Sequence, residues 1–339
     1  AASDVYKRQD TNGLVVLNTA ATFSGGLTIK AGTLRLGSAE RLLDSGSLTV
    51  EGGLFDLAGN TEQVGLFTLS GGSVSGGSLV ASAFALQSGS VSTVLDGAGQ
   101  GLKTTDGTVL LGTANTYTGG TFIDRGVLLL GGTDRLPVSG AITLRGGTLD
   151  LGGNTQSSGL LTLEAGSLTG GILTAADYQV QSGLIDAVLA GGGISLTKTT
   201  TGLVTLNRSN TYTGVTILNA GTLALGVDGA LSSASDVFVN GGAELALGST
   251  SQTVAAVMLN HGSISGGTLT GAVYNVKSGA ISTVLAGVGV ALEKTTDGEV
   301  TLTGANTYTG RTTLLQGTLT LGTANALALG TEVLILSLI

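Results

Sequence analysis

Five aspartates lie close together in the middle of the chain and are the first residues to consider for chemistry. They are Asp124, Asp134, Asp150, Asp177 and Asp186. Carboxylates carry out glycoside hydrolysis, and acidic side chains together with Lys or Arg could carry out a lyase reaction. The next copy of the sequence repeat has Asn219, Asp228, Ala246, Val273 and Ser282 or near equivalents at these positions. The sequence does not single out a pair of acids on one face of the fold. It therefore predicts scattered, solvent-facing carboxylates.

His261, in the segment LNHGSISGG, is the single histidine of the chain, and cysteine is absent. Two other copies of this segment carry Ala165 and Gly71 at that point, so we interpret His261 as a turn substituent. A histidine zinc site, a Ser-His-Asp triad in each repeat and a thiol nucleophile therefore lack their residues. The sequence predicts no catalytic, cofactor-binding or metal-binding residue, no cofactor, and a protein that is not an enzyme.

Two recurring phrases have residues that could contact an anion. The glycine-rich GAGQG at 97–101 superficially resembles a phosphate loop, but it lacks the Gly-Lys-Ser/Thr and the helix that such loops need. We interpret it as a tight connection between structural units. Lys-Thr-Thr phrases begin at Lys103, Lys198 and Lys294. They would either contact an anionic ligand or, as we expect, lie at the surface and cap a rung.

An aromatic series, Phe84, Tyr178 and Tyr274, recurs in steps of 94 and 96 residues. Aromatic rings at the surface would stack on sugars. Rings that stack on one another along the axis of a repeat structure are the simpler account, and we expect that arrangement.

The strongest feature of the sequence is a long repeat whose centre reads NTYTG. Its markers are four aromatic residues and four glycines, spaced by 94, 95 and 96 residues: Phe23, Tyr117, Tyr212, Tyr308, Gly32, Gly126, Gly221 and Gly317. A phrase that recurs at a fixed period describes a building block. Because Phe23 lacks a hydroxyl, no chemistry common to all four copies can depend on that group.

Within each repeat, short runs alternate apolar and small polar residues and end in Gly, as at 141–144 and 148–151. This period of two predicts half-buried strands, and 59 glycines among 339 residues would weaken any helix. Near-identical phrases at this period favour a solenoid over a sandwich or a propeller. We therefore predict an all-β, right-handed parallel β-helix with about 3.5 copies of a ~95-residue repeat, each made of several coils of roughly 20 residues.

The sequence pattern at both ends of the chain differs from that of the repeats. The segment AASDVYKRQ at 1–9 resembles the translation of a transposon-type sequencing adapter, and residues 336–339 resemble its reverse end. We expect both to be adapter-derived scars on a metagenomic fragment of a longer gene. Residues 10–335 are predicted to form a single β-helical repeat domain. Its units cover about 10–116, 117–211, 212–307 and 308–335.

The charge of the chain excludes several kinds of partner. A net charge of −8 and a pI near 4.5 argue against nucleic acid, whose phosphates require a basic face. They also argue against a polybasic membrane-surface role. The longest apolar runs, such as 127–130, are far shorter than the roughly 20 residues of a spanning helix.

A longer phrase surrounds each NTYTG and is complete at 202–226 (GLVTLNRSNTYTGVTILNAGTLALG) and 298–322. It resembles the autotransporter-associated β-strand repeat, found in the passengers of type V secreted proteins of Gram-negative bacteria. The resemblance covers three full copies and a degenerate one at 13–37. The intervening segment at 274–296 is similar to linking segments in large adhesins of this type.

This resemblance implies a secreted, cell-surface protein that contacts the outer membrane only through a C-terminal barrel outside the present segment. We expect the segment to be a structural stalk that displays, or contributes to, adhesion to a host or neighbouring-cell surface, through a glycan or a protein. Two alternatives stay open. One is a β-helix enzyme, either a polysaccharide lyase or a passenger protease, and the other is a self-associating aggregation factor.

Overall fold

The computed structural model describes residues 7–9 (backbone only), 12–21 and 25–336. The chain divides into two compact units, Ala1–Thr174 and Ala175–Ile339. The described residues form strands and turns without a helix. They accordingly contain no helix with the length and apolar character needed to cross a bilayer.

The described part of the first unit contains the following strands: β1 (Lys7–Gln9), β2 (Leu14–Leu17), β3 (Leu27–Ile29), β4 (Thr33–Leu36), β5 (Leu48–Val50), β6 (Leu54–Asp56), β7 (Thr61–Leu69), β8 (Ser73–Leu86), β9 (Gly89–Asp96), β10 (Gln100–Lys103), β11 (Thr108–Leu111), β12 (Thr121–Ile123), β13 (Val127–Leu130), β14 (Ile142–Ser157) and β15 (Leu160–Thr174).

The second unit contains β16 (Asp177–Val180), β17 (Gly183–Ala190), β18 (Leu196–Lys198), β19 (Leu203–Leu206), β20 (Thr216–Leu218), β21 (Thr222–Leu225), β22 (Val237–Val239), β23 (Ala243–Thr253), β24 (Ala256–Leu259), β25 (Gly262–Thr270), β26 (Val273–Val276), β27 (Gly279–Ile281), β28 (Val284–Ala286), β29 (Ala291–Lys294), β30 (Glu299–Leu302), β31 (Thr312–Leu314), β32 (Thr318–Leu321) and β33 (Val333–Ile335).

Strands of the first unit pair in parallel with strands one coil further along the chain. β3 pairs with β5 so that Ile29 lies beside Val50, and β5 pairs with β7 so that Val50 lies beside Leu69. β4 pairs with β6 in the same way. Parallel pairing needs a long connection between partners, and here that connection is the rest of the coil.

The second unit repeats this arrangement in one continuous row of parallel strands. The row runs through β18, β20, β22, β24, β26, β29, β31 and β33. Within each unit the strands stack as a parallel β-solenoid, which confirms the predicted fold class. Its right-handed sense stays a prediction based on the general handedness of parallel crossovers.

The core of each unit lies inside the coils. In β20 the first and third residues, Thr216 and Leu218, are buried and the middle residue is half-buried, because successive side chains of a strand point to opposite faces. Ile29, Val50 and Leu69 form one such inward row, and all three are fully buried. Each aliphatic side chain in such a row contributes about 1.5–3 kcal/mol through burial.

Strand β1 lies within the segment predicted to derive from an adapter. It pairs with β3, placing Lys7 beside Leu27 and Gln9 beside Ile29. The origin of this segment and of residues 336–339, and the proposed domain bounds, stay predictions.

Candidate functional site

The phrase Asn-Thr-Tyr-Thr-Gly-x-Thr forms a corner of the coil at 115–121, 210–216 and 306–312, and we call these segments the corners. Its asparagine is buried and connects three successive coils. The Oδ1 atom of Asn210 accepts a hydrogen bond of 2.8 Å from the Leu189 N–H, and its Nδ2 donates one of 2.6 Å to the Ala230 carbonyl. The asparagines of the other two corners bond in the same two directions.

The tyrosine of each corner is fully buried, as Tyr117, Tyr212 and Tyr308 show. The hydroxyl group hydrogen-bonds to the threonine four residues later, at 2.6 to 2.7 Å. Burial raises the pKa of Tyr117 to about 12, and it raises the pKa of Tyr212 and Tyr308 as well. These hydroxyl groups therefore stay protonated at neutral pH and face the interior. Phe23, the fourth aromatic marker, lies outside the described residues.

The glycine markers occupy backbone conformations that other residues avoid. Gly32, Gly126, Gly221 and Gly317 have φ angles of +71°, +65°, +68° and +80°. The last three also lie against the Lys-Thr-Thr turn of the preceding coil. A Cβ atom at Gly221 would overlap the carbonyl oxygens of Thr200 and Gly202. These positions require Gly both for the left-handed φ angle and for the close approach of two chain segments.

The lysines of the Lys-Thr-Thr phrases are buried, and the expectation that they cap the surface is wrong. We refer to them as the buried lysines: Lys103, Lys198 and Lys294, each with an exposed fraction of 0%. The Lys198 ammonium group donates to the carbonyls of Gln181, at 2.9 Å, and Thr200. The turn thus supplies the oxygen atoms that a buried ammonium group needs. Because these groups point inward, they do not form an anion-binding surface.

Burial removes water from the ammonium groups of all three buried lysines. Desolvation lowers the pKa of each one below its ordinary value. Lys103 donates to the Thr105 carbonyl, and Lys294 donates to the carbonyls of Thr296 and Gln316. Backbone carbonyls, rather than carboxylates, are therefore the hydrogen-bond acceptors of these ammonium groups.

The second aromatic series is also buried, which rules out stacking on sugars at the surface. Each member contacts the tyrosine of the following corner, whereas the sequence predicted contacts among the members themselves. Centroid distances are 5.6 Å for Phe84–Tyr117, 6.2 Å for Tyr178–Tyr212 and 6.0 Å for Tyr274–Tyr308. Such tilted ring pairs stabilise the core beyond the area they bury.

The five aspartates are scattered, as predicted, but they are half-buried rather than fully exposed. Asp186 forms an ion pair of 2.8 Å with Arg208, and Asp124 approaches Arg145 at 3.7 Å. The Asp134 carboxylate accepts a 2.7 Å hydrogen bond from the Ser157 N–H. In 12–21 and 25–336, no group of three or more His, Cys, Asp or Glu side chains is placed to hold a metal ion.

The remaining sequence candidates lie in connections between strands. His261 is exposed in the bend between β24 and β25, and its Nδ1 lies 3.2 Å from the Ser278 Oγ. The first three residues of GAGQG connect β9 to β10, with Gly97 at a φ angle of +98°, and the last two begin β10. Both placements agree with the sequence interpretation.

A surface groove of about 400 Å³ lies between the first corner and the loop at 134–140. Leu136, Pro137 and Val138 give it an apolar wall, and Asp134 is the one carboxylate in its lining. One oxygen of that carboxylate already accepts the Ser157 N–H. The groove therefore lacks the carboxylate pair that hydrolysis of a glycoside requires.

Sequence reasoning missed a further buried polar series, Glu62, Gln156 and Gln252, although its spacing of 94 and 96 residues matches the repeat. Gln156 accepts the Leu136 N–H and donates to the Leu136 carbonyl, both at 3.0 Å. Its amide group thereby fastens the loop of the preceding coil.

Two comparisons with known proteins give a sequence match. The family model described as passenger-associated-transport-repeat matches residues 12–36, 103–130, 196–225 and 292–321. The adhesin BmaC autotransporter of Brucella suis biovar 1 (strain 1330) is 32% identical over 370 residues, covering 95% of this chain and 10% of that protein. The chain thus spans about a tenth of the length of this relative, and no solved structure gives a significant match. The four family matches contain the corners and the glycine markers, so these repeats are of the passenger-associated-transport-repeat family, and the chain resembles part of an autotransporter passenger.

Proposed function

We propose that this chain is a structural spacer in the passenger of a secreted, cell-surface autotransporter of the adhesin type. In this role its coils hold the binding regions of the parent protein away from the outer membrane. Each coil adds about 4.8 Å to a solenoid, so a tandem repeat lengthens the passenger without a new fold.

The observation that carries this proposal is that the repeated polar residues are buried and contact other coils. Asn210 and Lys198 are buried and hydrogen-bond to neighbouring coils, and the buried Tyr212 packs its ring against Tyr178 of an earlier coil. The residues that the sequence repeats are therefore the residues that hold coils together. A catalytic or ligand-binding group would instead need access to solvent.

The adhesion itself is proposed from the relative, whose name describes it as an adhesin autotransporter. The partner in this proposal is a glycan or protein on a host or neighbouring cell. The repeat supplies the support, and residues elsewhere in the parent protein make the contact.

The test exchanges the spacer within the parent passenger. Residues 10–335 are replaced by an unrelated parallel β-solenoid with the same number of coils, and a second variant deletes them. Surface display of each variant is quantified with an antibody to a terminal tag before cell adhesion is measured. We expect adhesion to survive the replacement and to fall after the deletion.

Loss of adhesion in a fully displayed replacement variant would contradict the spacer role, because it would place the binding residues in this chain. The purified chain gives an independent check. Added in excess, it should not compete with cells that carry the parent protein, since a spacer does not occupy the receptor.

A further inference from the structure

One position of the buried polar series carries an acid instead of an amide. The first copy has Glu62 where the later copies have Gln156 and Gln252. Each of these side chains reaches the loop of the preceding coil, which is loop 37–47 in the first copy, loop 131–141 in the second and loop 226–236 in the third. The three loops can therefore be compared within one molecule.

The Glu62 carboxylate is fully buried, and its hydrogen-bond partners within the described residues are backbone N–H groups of loop 37–47. Its Oε1 accepts from Leu42 at 2.7 Å, and its Oε2 accepts from Arg41 at 2.8 Å. Among the described residues, no Lys or Arg side chain forms an ion pair with it. A glutamine at this position both accepts and donates, whereas an ionised carboxylate can only accept.

Loop 37–47 also lacks the attachment that the corner asparagine gives to the other loops. Asn115 and Asn210 donate to the carbonyls of Arg135 and Ala230. Ala21 occupies the equivalent position in the first copy, and only its backbone N–H reaches the Arg41 carbonyl, at 2.7 Å. Glu62 is thus the side chain that bonds this loop to the next coil.

The charges around Glu62 disfavour its ionised form. Desolvation raises the pKa of Glu62, and the nearby carboxylates of Glu40 and Asp44 raise it further, against the lowering effect of the two backbone N–H groups. Strand β8, which covers Glu62 in the next coil, has no charged residue. The Arg41 guanidinium group turns away and donates to the Ala39 carbonyl.

We propose that loop 37–47 is held more tightly to the next coil at low pH. Protonation of Glu62 then supplies the neutral, hydrogen-donating group that glutamine supplies permanently in the later copies. The protonated side chain keeps one N–H bond and donates its new O–H to a carbonyl of the loop, as Gln156 donates to Leu136. This device goes beyond the spacer role and does not depend on it.

The direction of the effect follows from proton linkage. A carboxyl group with a raised pKa in the closed state binds a proton under conditions where the open state has lost it. Between the ordinary value of 4.5 and the raised one, the closed state gains stability as the pH falls. Each unit of the increase changes the ratio of closed to open loops about tenfold.

The test measures hydrogen exchange of the whole chain at about pH 5 and about pH 7.5, corrected for the intrinsic pH dependence of exchange. Peptides from loops 131–141 and 226–236 serve as internal controls. Two variants accompany the parent chain. Glu62→Gln installs the residue of the later copies and should fold, and Gln156→Glu transfers the acid to the second copy.

We expect the protection of loop 37–47 to increase at the lower pH, on the order of tenfold for each unit of raised pKa, while both control loops stay unchanged. Glu62→Gln should remove this response, and Gln156→Glu should create one in loop 131–141. The proposal is overturned if loop 37–47 follows the control loops, if its protection falls in acid, or if Glu62→Gln leaves the response intact.

Discussion

Replacing Asn210 with Ala tests how the corners hold neighbouring coils together. The asparagine amide satisfies the Leu189 N–H on one side and the Ala230 carbonyl on the other, at 2.8 and 2.6 Å. The side chain is only 5% exposed, so water does not readily replace it. Each buried polar group left without a partner costs about 1–3 kcal/mol. The variant should therefore lose about 2–6 kcal/mol of unfolding free energy.

The assay is urea unfolding followed by the β-sheet circular dichroism signal, with the slope of the transition compared between variants. We expect a lower midpoint and an unchanged slope, which together indicate lost stability rather than a changed unfolded state. Thr211→Ala is the matched control, because Thr211 is the exposed neighbour in the same phrase. Its cost should stay within about 0.5 kcal/mol. If Asn210→Ala costs no more than Thr211→Ala, the asparagine does not hold the coils together.

Three further predictions follow from buried groups. The pKa of Tyr117 is about 12 in the folded chain and about 10 in the unfolded chain. As the pH rises from about 10 to about 12, the parent chain should therefore lose about 3 kcal/mol of unfolding free energy. Tyr117→Phe should reduce the alkaline loss by that amount in denaturation titrations. A non-glycine residue in the left-handed conformation costs about 1–2 kcal/mol of stability. Gly221→Ala should cost more than this, because its Cβ would also overlap carbonyl oxygens. A loss of unfolding free energy below about 1 kcal/mol in urea titrations would contradict this expectation. An amine-reactive reagent should modify the exposed Lys277 and spare the three buried lysines until urea unfolds the chain, as peptide mass spectrometry would show. Equal labelling of all four would refute their burial.

The period and the strand pattern made much of the fold predictable from sequence. Runs such as 148–151 alternate inward and outward residues, and one phrase recurs at nearly constant spacing. Since a coil of a parallel solenoid pairs with its neighbours along its whole length, like residues come to lie over like residues. Gly221 could be identified in the same way, because a glycine repeated after a short run indicates a turn.

The burial of the lysines was not predicted, since Lys is rarely fully buried. The signal was nevertheless present in the strand pattern. Lys103 follows Leu102 at the inward end of β10, and its partner in the next coil is the buried Ile123. What sequence does not show is the set of carbonyl oxygens that makes such a site acceptable, because these come from the turn and from neighbouring coils.

The aromatic contacts were missed for a different reason. Spacing along the chain suggested that like rings meet, whereas Phe84 meets Tyr117 from the following coil. Gly101 lies beside Phe84 in the parallel pair, and a Cβ at Gly101 would lie 2.8 Å from the Tyr117 hydroxyl, whereas Leu196 lies beside Tyr178 in the next copy. The same kind of ring contact thus forms beside a glycine in one copy and beside a leucine in the next, and spacing along the chain does not show which rings meet.

The most direct test of the central claim, that the repeated phrase is structural, removes all three corner hydroxyl groups at once. Tyr117, Tyr212 and Tyr308 are replaced by Phe in the parent passenger, and adhesion is measured at equal surface display. We expect a β-sheet circular dichroism spectrum like that of the parent and unchanged adhesion, because these hydroxyl groups face the interior. Loss of adhesion from a passenger that remains folded would contradict it and assign the tyrosines a role in binding.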